Sequence, residues 1–124
     1  MKIQESAENY LETIWMLHLQ NGQVRSIDVA NALGFSKPSV SYAMKKFRGN
    51  GLVNMDQHGF ITLTEKGRAI AERMYERHKL LTDYFISLGV SPETARKDAC
   101  RAEHVLSEET YEKIKNRIEQ ELNK

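Results

Sequence analysis

Apolar residues recur every three or four positions along most of the chain, the spacing that lines one face of an α-helix. Leu11, Ile14, Trp15 and Leu17 form the first such stripe, and Asn21-Gly22 ends it. Ser6 stands ahead of it as an N-terminal cap. Ser26 is placed to cap a short helix over Ile27 to Leu33, with Gly34 as its stop. Ser36 then caps a helix with Pro38 in its first turn and Val40, Met44 and Phe47 on one face. Only Gly34 and Phe35 lie between these two helices, a helix-turn-helix arrangement whose second helix is shaped to enter a nucleic-acid groove.

After Gly49-Asn50-Gly51 the pattern changes. Leu52-Val53-Asn54-Met55, a tight Gln57-His58-Gly59 turn and Phe60-Ile61-Thr62-Leu63 predict a small β-hairpin, placed as a wing. Thr64 caps a long helix reaching Leu88, with Ile70, Met74, His78, Leu81 and Phe85 along one stripe and Gly89 at its end. Ser91-Pro92-Glu93 opens a further helix, and Ser107-Glu108-Glu109 opens a last one. That last helix carries Tyr111, Ile114, Ile118 and Leu122, expected to be exposed on one side and to seal a second copy of the chain. The predicted fold class is mainly α: a winged helix-turn-helix of three helices plus a hairpin wing over residues 1–70, then a helical domain over 71–124, joined rigidly through the helix of residues 64–88.

Composition narrows the possible functions. The 124 residues carry 18 Lys and Arg against 17 Asp and Glu, a formal net charge of +1, so any affinity for nucleic acid must come from local clustering. Such a cluster exists: no acidic residue occurs between Asp28 and Asp56, while Lys37, Lys45, Lys46 and Arg48 lie in or beside the second helix of the pair. Ser36, Lys37, Pro38, Ser39, Ser41 and Tyr42 occupy its first turns, from which side chains reach base edges. A single cysteine fits a reducing compartment, and neither a signal peptide nor a bilayer-length apolar run appears, so a cytoplasmic protein is expected.

One segment carries candidate chemistry. In Asp98-Ala99-Cys100-Arg101-Ala102-Glu103-His104, helical spacing puts Cys100, Glu103 and His104 on one face. Thiolate, carboxylate and imidazole together hold divalent transition ions, and His78 could add a nitrogen from a facing helix. The competing reading is a small buried cysteine beside a solvated Glu and His. A thiol hydrolase using Cys100 with His104 is disfavoured, because both project from one helix with no oxyanion-hole loop and no third orienting group in view.

Taken across nearly its whole length, the chain resembles the diphtheria-toxin-repressor family of metal-dependent transcriptional repressors, including its short manganese-responsive branch. The matching stretches are Ala7-Glu8-Asn9-Tyr10-Leu11-Glu12-Thr13-Ile14, Ser36-Lys37-Pro38-Ser39-Val40-Ser41, Leu63-Thr64-Glu65-Lys66-Gly67 and, most specifically, Asp98 to Ser107. The resemblance implies a winged helix-turn-helix followed by a helical dimerisation domain, without the SH3-like domain of longer members. It places His78, Cys100, Glu103 and His104 on ligand positions, and Glu12 on one used in the manganese branch. Asn9 stands where that branch has aspartate and the iron branch methionine. Cys100 looks like the iron branch, and a thiolate shifts preference from Mn²⁺ toward Fe²⁺, Co²⁺, Ni²⁺ or Zn²⁺. Thr82 and Arg96 stand where the iron branch places ligands of a second site. The implied function is a repressor of metal-ion homeostasis with Mn²⁺ or Fe²⁺ as corepressor. An ion held by ligands of both halves would favour the arrangement competent for DNA. The expected partners are a palindromic double-stranded operator and a second copy of the chain, with neither a membrane nor an organic substrate, and no enzymatic activity is expected. The alternative is a winged-helix regulator that answers to a small organic ligand or to oxidation of Cys100.

Overall fold

The described residues form six helices and one hairpin in the order α1 (Lys2–Asn21), α2 (Ser26–Leu33), α3 (Lys37–Gly49), β1 (Val53–Met55), β2 (Ile61–Leu63), α4 (Glu65–Ser87), α5 (Pro92–Val105) and α6 (Glu108–Leu122). This is a computed structural model that describes the backbone of residues 2–122 and the side chains of residues 7–121. It divides into two compact units, Met1–Arg73 and Met74–Lys124, with the division inside α4.

The first unit is organised by the predicted stripes. Leu11 and Ile14 of α1, Val29 and Ala30 of α2, and Val40, Ala43, Met44 and Phe47 of α3 are all buried with Val53, Ile61 and Ala71 in one cluster. Fully burying an aliphatic side chain of this size is worth roughly 1.5–3 kcal/mol. The helix-turn-helix pair is therefore held by its apolar faces, and its polar faces are left to solvent. Gly34 makes the turn possible by adopting φ 72°, and its N–H donates to the Ala30 carbonyl at 2.9 Å. In the hairpin, Val53 pairs with Leu63, Asn54 with Thr62 and Met55 with Ile61. A third short segment supports it: the Ile61 N–H donates to the Val24 carbonyl at 2.7 Å, and Arg25 forms a bridge with Phe60.

Two helix starts differ from the sequence expectation. α1 begins at Lys2, so Ser6 lies inside it and not at its cap, and the Ser6 side chain is outside the described residues. Residues 2–5, Lys-Ile-Gln-Glu, contain no helix breaker and so extend the helix backward. α2 is capped at Arg25 and not at Ser26, because the Asp28 carboxylate accepts the Arg25 backbone N–H at 2.8 Å and Ser26 becomes the first helical residue. The caps at Ser36, Thr64 and Ser107 form as expected. Their hydroxyls accept backbone N–H groups from Ser39 at 3.3 Å, Gly67 at 3.1 Å and Thr110 at 3.1 Å.

In the second unit the stripe of α4 continues through Met74, Leu81 and the half-buried Phe85, and Ala95 and Ala99 bury one face of α5. The α6 stripe does not stay exposed. Tyr111 and Ile118 are buried within this unit, Ile114 is half-buried, and the Leu122 side chain lies outside the described residues. Tyr111 is drawn inward because the Arg77 guanidinium lies 4.6 Å from its ring centre. Burial raises the Tyr111 phenol above its ordinary pKa. An apolar groove of about 470 Å³ remains, lined by Leu81, Tyr84, Phe85, Leu106, Ile114 and Ile118.

Candidate metal centre and nucleic-acid interface

The basic outward face belongs to α3. Val40, Ala43, Met44 and Phe47 anchor this helix in the core, so the residues between them point outward. Ser36, Lys37, Pro38, Ser39, Ser41, Tyr42, Lys45, Lys46 and Arg48 are all exposed, and Tyr42 is 73 % accessible. No acidic residue interrupts the helix, so its field is uniformly positive, and the N-terminal turn adds backbone N–H groups that favour a phosphate. The wing beside it is pinned by Asp56. One oxygen of its carboxylate accepts the Phe60 N–H at 2.9 Å and the His58 N–H at 2.8 Å. The Phe60 hydrogen bond, more than the weaker pull of His58 and Arg25, lowers the Asp56 pKa below the usual carboxylate value. His58 is exposed at the tip and His18 is exposed on α1, where it stacks on Trp15 at 6.1 Å between ring centres.

The second site lies within the second unit. Glu103 is a fully buried carboxylate on α5, and its two oxygens face two imidazoles: His78 Nδ1 from α4 at 3.0 Å and His104 Nε2 at 3.3 Å. Cys100 completes the face one turn earlier, and ligand atoms of Cys100, Glu103 and His104 all lie within 4.8 Å of one another. The His104 side chain is 5 % exposed and that of His78 18 % exposed, so the donors converge at a largely dehydrated position. Burying an ionised carboxylate is costly unless positive charge or hydrogen bonds compensate. A thiolate, a carboxylate and two imidazoles crowded to this degree fit a divalent transition ion. Asn9 and Glu12 are on α1 in the first unit, three residues apart; Asn9 is half-buried and Glu12 is 4 % exposed. Thr82 is buried and Arg96 is exposed.

Two residues that hold these sites in shape are not marked by the sequence pattern used above. Asp56 directly precedes the Gln57-His58-Gly59 turn, and an Asp at the head of a Gly-containing turn, followed by free backbone N–H groups, is a turn signal. Arg77 is buried with 4 % exposure, although it is charged. It occupies an inward position of the 74, 77, 78, 81 stripe, and a charge at an inward helical position signals a buried ionic network.

A winged helix-turn-helix with a basic outward helix, together with a helical unit carrying a buried sulfur, oxygen and nitrogen cluster, defines a metal-responsive DNA-binding regulator as a class. Residues 2–59 match the N-terminal DNA-binding domain of the iron-dependent repressors, and residues 64–121 match their metal-binding and dimerisation domain. The transcriptional regulator MntR of Escherichia coli O6:H1 is 38 % identical over 108 residues, covering 87 % of this chain and 70 % of that protein. An HTH-type transcriptional regulator of Methanocaldococcus jannaschii is 34 % identical over 113 residues, covering 90 % of each. Among solved structures, a manganese-dependent transcriptional repressor in complex with manganese superposes with a TM-score of 0.79 at 30 % identity, over 90 % of this chain. The metal-dependent transcriptional regulator MtsR superposes at 0.82 and 25 % identity. The chain spans about half the length of these two structures, 51 % and 53 %.

The chain belongs to the iron-dependent repressor family. It is a metal-dependent, DNA-binding transcriptional repressor of winged-helix fold, with a dimerisation domain and a divalent metal ion as cofactor. The metal-binding domain over residues 64–121 favours metal over an organic ligand or thiol oxidation as the signal. The family is one of transcriptional regulators, and no described helix is long and apolar enough to cross a membrane.

Proposed function

We propose that this chain represses genes of metal-ion homeostasis in the cytoplasm, with Mn²⁺ or Fe²⁺ as corepressor, and that it has no enzymatic activity. The observation that carries this is the buried Glu103 carboxylate set between His78 and His104 with Cys100 alongside. His78, Cys100, Glu103 and His104 hold the ion, and the resemblance adds Asn9 and Glu12 to the proposed ligand set. The bound ion supplies positive charge that compensates a buried carboxylate and a thiolate. An ion that binds the DNA-competent state more tightly than the other raises the population of that state, and by linkage DNA raises the affinity for the ion.

DNA recognition is assigned to Ser36, Lys37, Pro38, Ser39, Ser41 and Tyr42 at base edges and to Lys45, Lys46 and Arg48 at phosphates. The operator is a palindromic duplex read by two copies, with domains divided at residues 1–70 and 71–124. The second copy docks on the groove where Phe85, Leu106 and Ile114 stay half-buried, an apolar surface that a monomer leaves partly in water.

The test is an anaerobic gel-shift titration with operator DNA, stepping Mn²⁺ and then Fe²⁺. The wild-type chain binds more tightly as metal rises. Cys100→Ala and Glu103→Ala keep the helical circular dichroism signal and lose the metal response. A full metal response in both variants would refute the assignment.

A further inference from the structure

Arg77 touches both halves of the ligand-bearing frame without being a ligand. Its Nη1 donates to the Glu103 carbonyl at 3.0 Å and to the Leu106 carbonyl at 3.0 Å. Its Nη2 donates to Glu108 Oε2 at 2.9 Å, and its guanidinium plane lies against the Tyr111 ring. Glu103 is in the last turn of α5, where backbone carbonyls have no partner further along the helix, so the guanidinium closes that helix end and opens α6 from one point. Arg77 is also covalently next to His78. One buried cation therefore fixes the residue that carries the carboxylate ligand relative to the residue that carries the imidazole ligand.

The structure assigns Arg77 as the positioning residue of the metal centre: its guanidinium clip between α4 and the C-terminus of α5 sets the spacing of His78 from Glu103. The inference rests on the metal-site reading above. A lysine cannot replace it, because an ammonium lacks the planar fork that reaches two carbonyls and a carboxylate at once. Outer partners that orient metal ligands typically control affinity by 10- to 100-fold.

The experiment uses the full chain stripped with chelator and titrated with Mn²⁺ and with Co²⁺, whose visible spectrum reports coordination geometry. Arg77→Lys is compared with Ala95→Gly, which weakens α5 at a buried position outside the clip. Arg77→Lys is expected to lower affinity for both ions about 10- to 100-fold and to change the Co²⁺ spectrum, while Ala95→Gly changes neither. Glu108→Gln, which removes one charged partner of the clip, gives a smaller loss of the same kind and carries the test if Arg77→Lys does not fold. Wild-type affinity and spectrum in the clip variants would overturn the inference. So would an equal loss of affinity in Ala95→Gly at matched apo stability, which would make the effect one of general packing. A wild-type chain that binds neither ion overturns the metal-site reading itself, an outcome distinct from wild-type binding that Arg77→Lys fails to alter.

Discussion

Gly67 shows how a single position can be required by a neighbour distant in sequence. It lies in the first turn of α4, where helix propensity favours alanine, yet a Cβ there would overlap the carbonyl oxygen of Leu52 at the start of the hairpin. Thr64 works at the same junction, donating its hydroxyl to the Gly51 carbonyl at 2.7 Å and accepting the Gly67 N–H. Gly67→Ala is therefore expected to destabilise the first unit by about 1–3 kcal/mol, as overpacking does, measured as a lower urea midpoint followed by Trp15 fluorescence. An unchanged midpoint would show that the wing shifts freely. The sequence displays the Leu63-Thr64-Glu65-Lys66-Gly67 run, but nothing in it says which backbone atom excludes a side chain from residue 67.

Among the elements, α3 was the most legible. Its inward residues follow the helical period, its cap is a serine with proline after it, and every residue proposed for DNA is exposed. The helix ends as a cation-rich surface, so Lys45→Ala with Lys46→Ala should weaken operator binding across sequences alike. Each lost phosphate contact should flatten the slope of log affinity against log salt by roughly 0.9. Filter binding at several salt concentrations reads that slope, and an unaltered slope would move the phosphate contacts elsewhere. The α2 start and the α6 stripe were less legible for a common reason: each depends on a partner that propensity does not see. At α2 the Asp28 carboxylate selects Arg25 as the cap. At α6 the Arg77 guanidinium makes Tyr111 an inward residue of the second unit. An apolar period identifies the face of a helix that will be buried, without saying whether the same chain or a second copy will bury it.

For the whole molecule, the proposed metal centre couples a ligand to stability. An ion at a hundredfold excess over its Kd stabilises the state that binds it by about 2.7 kcal/mol, which for domains of this size moves a thermal midpoint by on the order of 10 °C. Adding Mn²⁺ to the chelator-stripped chain is expected to raise the circular dichroism midpoint by that order, and chelator should reverse it. Glu103→Ala should show no such shift, and an equal shift in that variant would place the ion elsewhere.

The fold class, the order of the elements and the candidate ligand face can be read from the amino-acid order alone, because helical period, capping residues and the spacing of Cys100, Glu103 and His104 are local properties written within a few residues. Tertiary structure decided what lies across from them. It placed His78 on Glu103, buried Arg77 against two carbonyls of α5, and forbade a side chain at Gly67, since each of these depends on a distance between residues far apart in the chain. Such distances are fixed only when packed apolar faces bring the elements together.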